Sequence, residues 1–207
     1  MKPQIKPLYI TNYLPKGATI LLVDMSQAEL DFAAETFDKQ EQRKFDIRMK
    51  KRLDTMCKTL EKLKDTHDIK VLSTINNGYC LENIAKHVDD HLNSWVGTYL
   101  ESDFVRYPDL PNYDSLQRST LNIDFVKDLS KDNPVYVAGL WKEHCVYAVA
   151  RLLRYHDIEA FLYTDRSLCL EYDFSDLEDY DTIDLLGVCM RDGITIKTVN
   201  YDMLEGK

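Results

Sequence analysis

Hydrophobic and polar positions along the chain fall into short apolar runs that alternate with stretches of helical period. Thr19-Ile20-Leu21-Leu22-Val23 is a continuous apolar run of the length that a strand buried on both faces requires. It ends at Asp24. Ser26-Gln27-Ala28-Glu29 follows as a capping box, in which Ser26 caps and Glu29 reaches back. Asp24 therefore stands where a strand hands over to a helix. From there to about residue 64 the period is helical, with Phe45, Met49, Leu53, Met56, Leu60 and Leu63 stepping by threes and fours. A break is expected near Asp38 to Gln42.

Ile69 to Thr74 reads as the next strand, closed by the turn former Asn76-Asn77-Gly78. Ile84, Val88, Leu92 and Trp95 predict an amphipathic helix, and Phe104 to Tyr107 a short strand before a loop bounded by Pro108 and Pro111. A helix through Leu121, Phe125 and Leu129 leads to Val135–Leu140, the clearest strand pattern in the chain. The next helix, over 143–156, carries Val146, Val149, Ala150 and Leu153 on one face. Residues 160–164 and 194–199 supply the remaining strands, on either side of an acidic segment, 173–184. Residues 1–18 hold three prolines and no helical period, and read as an irregular N-terminal arm laid over a domain of residues 19–207.

Strands alternating with helices imply an α/β fold: three layers, α/β/α, around a mostly parallel sheet of about six strands. Ligands of such sheets bind outside the carboxyl ends of the strands. The positions to inspect are thus Asp24, residues 74–77, Arg106 and residues 139–145.

Composition is that of an ordinary folded chain, with 207 residues, 44% hydrophobic and 29% charged. The net charge of −9 and the absence of an obvious Lys/Arg-rich face argue against a nucleic-acid surface. No stretch approaches the roughly 20 apolar residues that span a bilayer, and the N-terminus has no apolar core of a secretory signal. Five cysteines with no C-x-x-C pair suggest free thiols in a reducing, cytoplasmic setting.

Of these cysteines, Cys145 alone sits just past a strand at the first turn of a helix. Unpaired N–H groups and the helix dipole favour an anion there, so the thiolate gains and the same N–H groups can hold an oxyanion. The plainer reading is a small buried residue. Asp24 holds the matching place on another strand, where it either helps to cap the following helix or serves as a general base. If strands 19–23 and 135–140 are neighbours, their tips bring the acid to the thiol.

Ile20-Leu21-Leu22-Val23-Asp24-Met25 resembles the first strand and catalytic Asp of the isochorismatase-like cysteine hydrolases. Val137-Ala138-Gly139-Leu140-Trp141-Lys142-Glu143-His144-Cys145-Val146 resembles their nucleophile motif, and the order of elements fits from about residue 18 to 204. The resemblance implies a Rossmann-like topology and hydrolysis of a small molecule at an amide-type C–N bond, through a thioester on Cys145. It also implies that backbone groups of Trp141, His144 and Cys145 hold the oxyanion, and that the protein is a homodimer or homotetramer.

The family's third catalytic residue, a Lys after the third strand, corresponds here to Arg106, which keeps the charge but not the shape. Either Arg106 works, or Lys142 or Arg118 substitutes, or the chain keeps the fold for binding or assembly without catalysis. The family has a Gln two residues after its Asp, where this chain has Ser26 followed by Gln27. The Asp-x-His metal pattern of the nicotinamidase branch is missing from Thr74 to Gly78, so neither metal nor cofactor is expected. His87 and His91, spaced i and i+4 on the expected helix, read as a solvated face before they read as metal ligands. His144 points away from its neighbour Cys145 in a helix and is a poor base for it. Asn76, Tyr107, Tyr113 and Trp141 are the candidate pocket residues.

Overall fold

The computed structural model describes residues 6–35, 37–72, 80–88, 90–92, 134–140, 145–155, 157–170 and 194–199. In chain order the elements are β1 (Leu8–Thr11), β2 (Thr19–Val23), α1 (Gln27–Ala34), α2 (Lys39–Leu63), β3 (Asp68–Leu72), α3 (Glu82–Ala85) and β4 (Asp90–Leu92). After them come β5 (Val135–Leu140), α4 (Tyr147–Tyr155), β6 (Ala160–Tyr163), β7 (Cys169–Leu170) and β8 (Ile196–Thr198). The molecule is an α/β fold. Its sheet runs β4-β3-β2-β5-β6-β1-β8, with β7 paired to β5 beyond β6, and each of these strand pairs is parallel.

The all-apolar run predicted as a strand becomes β2, and each of its five residues is buried. It lies between β3 and β5, so it meets no solvent at an edge and needs no polar face. β5 and β6 are buried along their whole lengths for the same reason. One row of side chains crosses the sheet from Ile69 through Ile20, Tyr136 and Phe161 to Tyr9. Within it the Tyr136 and Phe161 rings stack at 5.1 Å and Phe161 stacks on Tyr9 at 5.6 Å. The Arg154 guanidinium of α4 covers the Tyr9 ring at 4.4 Å.

The expected helix break falls where the sequence placed it. Asp38 caps α2 by accepting from the Gln40 and Glu41 backbone, and the Glu41 side chain accepts from the Asp38 N–H. The stripe Met49, Leu53, Met56 and Leu60 is buried, while Phe45 and Leu63 pack at its margin. At about 1.5–3 kcal/mol for each fully buried side chain, this stripe rather than helix propensity holds α2 in place.

Three expectations change. Residues 8–11 are not irregular: β1 lies between β6 and β8, where its backbone groups are paired on both sides. The helix expected through Ile84, Val88 and Leu92 is a single turn, α3, after which Asp90–Leu92 pairs with Lys70–Leu72 as an edge strand. Backbone pairing to β3 outweighs a spacing of four that three apolar residues share by chance. His87 and His91 are therefore not stacked on one helix, and His87 is buried rather than solvated. The expected strand 104–107, the helix through Leu121, the segment 173–184 and Trp95 lie outside the described residues.

Candidate active site

Winding of the sheet reverses between β2 and β5. From β2 the chain builds outward to β3 and β4 on one side, then returns to lay β5 and β6 on the other. At such a reversal the connections leave in opposite directions, and a crevice opens at the carboxyl ends of the two central strands. Asp24 is the first residue after β2, and Cys145 follows β5 by five residues. The condition that would bring these residues to one edge, that strands 19–23 and 135–140 be neighbours, is met: Val23 aligns with Gly139.

Asp24 is fully buried, with φ at +57°. Left-handed backbone is uncommon outside glycine, although Asp tolerates it better than most residues. Its N–H donates to the Leu72 carbonyl at 2.8 Å, and its carbonyl accepts from Ser26 N–H at 2.7 Å. The chain thus turns sharply between β2 and α1 while staying pinned to β3. The N-cap of α1 is Ser26, whose hydroxyl accepts from Glu29 N–H. Asp157, also left-handed at φ +64°, has a structural reason: it closes α4, with Ile158 N–H reaching Leu153 O and its own N–H reaching Arg154 O.

The Asp24 turn is clamped from a second direction. Ser26 bridges Cys80, and Leu81 N–H donates to the Met25 carbonyl at 2.7 Å. Cys80 is mostly buried, which pushes its thiol up to about 12 and holds it as the neutral form. Cys57, on α2, is also raised by burial, and its sulfhydryl donates to the Asn83 carbonyl at 3.6 Å. Burial raises both thiols and so favours their neutral, unreactive form. The Cys80–Leu81 clamp was not legible in the sequence, because nothing in Tyr79-Cys80-Leu81 marks a chain that returns to the end of β2.

Cys145 is 9% exposed and belongs to the buried core cluster. With Val146 it forms a wider, π-type turn that runs straight into α4. Such turns recur at functional sites because they re-aim one side chain without ending the helix. Gly139 adds a constraint that only glycine meets: φ is +120°, and a Cβ there would stand 2.3 Å from the Val23 carbonyl oxygen. The two strands approach one another closely beneath the site as a result.

Arg106, Trp141, His144, Asn76, Tyr107 and Tyr113 lie outside the described residues, as do Lys142 and Arg118. His87 Nδ1 sits 3.0 Å from a Glu61 carboxylate oxygen, out of line for a hydrogen bond. No group of three metal-ligating side chains occurs among the described residues, and no described helix is long and apolar enough to cross a membrane. A groove of about 540 Å³ opens between α1, α2 and Asn83, floored by Leu30, Phe45, Met49 and Leu53; neither Asp24 nor Cys145 lines it. No known protein-family model matches this chain, and no curated protein or solved structure matches it significantly.

Proposed function

We propose that this chain is a cysteine-dependent hydrolase of the isochorismatase-like kind, cleaving an amide-type C–N bond of a small molecule. One observation carries the reading: Asp24 and Cys145 follow neighbouring parallel strands at the point where the winding of the sheet reverses. The buried, left-handed backbone of Asp24 supports it, since strain of this kind collects at working residues. The π-type turn at Cys145 supports it from the other strand.

In this reading Asp24 takes the proton of Cys145 and the sulfur attacks the carbonyl carbon. Backbone N–H groups around 141–145 receive the negative charge that forms on the carbonyl oxygen. Collapse of that intermediate breaks the C–N bond, and the proton held by Asp24 leaves with the amine or ammonia. Water then adds to the thioester with Asp24 as base, which releases the carboxylic acid and restores the thiol. Arg106, by resemblance, balances the Asp24 carboxylate. A three-layer, Rossmann-like domain and a small-molecule substrate belong to the same proposal.

The test is ammonia release from a panel of small primary amides. Wild-type protein turns over at least one of them, and Cys145→Ala and Asp24→Asn each lose about a thousandfold or more while keeping the wild-type circular dichroism. Undiminished turnover by folded Cys145→Ala rejects the proposal.

A further inference from the structure

The buried stripe of α2 is not covered evenly along its length. Met56 and Leu60 are 0% exposed, whereas Met49 and Leu53 are 5% and 8% exposed. The latter two line the groove between α1 and α2, and the former two do not. Across the groove, α1 has only eight residues and presents Leu30 and Ala34, one turn apart. An alanine at the second of these positions leaves space that a larger side chain would fill. The opening, about 540 Å³, falls in the range of small-molecule sites, roughly 300–1,000 Å³.

The rim of this apolar floor is acidic. Asp31 on α1 and Asp46 and Asp54 on α2 line the groove against one cation, Lys50, so three negative charges and one positive leave a net of −2. All four side chains are exposed. Asp31 accepts from Gln27 Nε2 at 2.8 Å, an uncharged donor that leaves its charge in place. Among the described residues no side-chain hydrogen bond or ion pair engages Asp46, Lys50 or Asp54. Phe45, packed on Phe37 at 5.1 Å, adds an aromatic ring to the lining, and such rings attract cations.

We propose that this groove binds a small organic cation, an ammonium group carried on an apolar body. Leu30, Met49 and Leu53 take the apolar body, while the rim acids and Phe45 hold the charge. The site is separate from the one assigned to hydrolysis, since neither Asp24 nor Cys145 lines it. An uncharged ligand of the same shape leaves the three acids without a partner charge, and an anion meets net repulsion. A basic peptide helix fits less well, because α1 walls the groove over only about 10 Å, two helical turns. The acids are exposed, so each adds little, and a ligand of about ten heavy atoms binds in the millimolar range.

Methyl NMR of the full chain, titrated with phenylbutylamine, phenylbutanol and phenylbutyrate, tests this with one apolar body in three charge states. The amine shifts the methyl signals of Leu30, Met49 and Leu53 with a dissociation constant below about 10 mM. The alcohol binds at least about threefold more weakly, and the carboxylate more weakly again. Asp46→Asn combined with Asp54→Asn brings the amine down to the level of the alcohol, with an unchanged circular dichroism and unchanged alcohol binding. Asp65→Asn, an exposed acid outside the groove, alters neither. Alcohol that binds as tightly as amine overturns the proposal, as does an amine that leaves these methyls unshifted or ignores the double substitution. A basic amphipathic peptide that shifts the same methyls and is not displaced by the amine overturns it as well, by assigning the groove to a peptide partner.

Discussion

Gly139 and Val23 meet where the two central strands end, and the space between them has no room for a single methyl group. A Cβ on Gly139 would lie 2.3 Å from the Val23 carbonyl oxygen and 2.5 Å from its nitrogen, on a backbone already at φ +120°. Both atoms belong to the strand that delivers Asp24, so relief requires β2 and β5 to part. Gly139→Ala should therefore cost about 3 kcal/mol or more in urea unfolding, through backbone strain and steric overlap together. A loss below about 1 kcal/mol would mean that the strands are not so closely apposed.

Asp24→Asn separates backbone from chemistry. Asn tolerates left-handed backbone about as well as Asp, so the variant keeps the turn and should lose less stability than a β-branched replacement. Asp24→Val places a β-branched side chain at φ +57° and should cost about 2 kcal/mol or more. Equal stability of the two variants, measured by thermal unfolding, would contradict the left-handed turn.

Alkaline pH should weaken the fold in a defined window. Burial lifts the Cys80 thiol from 9.0 to about 12 and the Tyr163 hydroxyl from 10.0 to about 12, and it raises Tyr136 further still. Below about pH 9 all three are neutral whether the chain is folded or not, and their contribution is flat. Above it the unfolded chain gives up protons that the folded chain retains, so stability falls as pH rises toward 12. Cys80→Ala should make the decline shallower between about pH 9 and 12; a slope identical to wild type would show that Cys80 is not buried in this way.

Tyr136 gives a prediction of the opposite sign. Its hydroxyl is buried with no hydrogen-bond partner among the described residues, while its ring stacks on Phe161. Tyr136→Phe keeps the stack and removes the orphan group, so stability should be unchanged or higher by about 1 kcal/mol. A loss of 1 kcal/mol or more would reveal a bond that the hydroxyl makes.

Much of this fold was legible because local pattern and tertiary need agree. β2 reads as a strand buried on both faces and is one, and the α2 stripe and its Asp38 break are visible from spacing and capping residues alone. What the chain hid depends on distant partners. Leu8–Thr11 has no pattern of its own and becomes a strand through residues about 150 and 190 positions away. Asp90–Leu92 owes its form to β3, against an apolar spacing that favoured a helix. The candidate site divides in the same way. The placement of Asp24 and Cys145 followed from strand ends, whereas the left-handed turn at Asp24 and its clamp by Leu81 had no local signal.

The thiol at 145 itself tests the account most directly. Peptide-resolved mass spectrometry of iodoacetamide labelling, followed from about pH 5 to about pH 10 on the folded protein, ranks the five cysteines by reactivity. The account predicts that Cys145 labels first and reaches half its maximal rate well below about pH 8, ahead of Cys57 and far ahead of Cys80. Labelling of Cys145 only on unfolding, or no faster than Cys57, would contradict it.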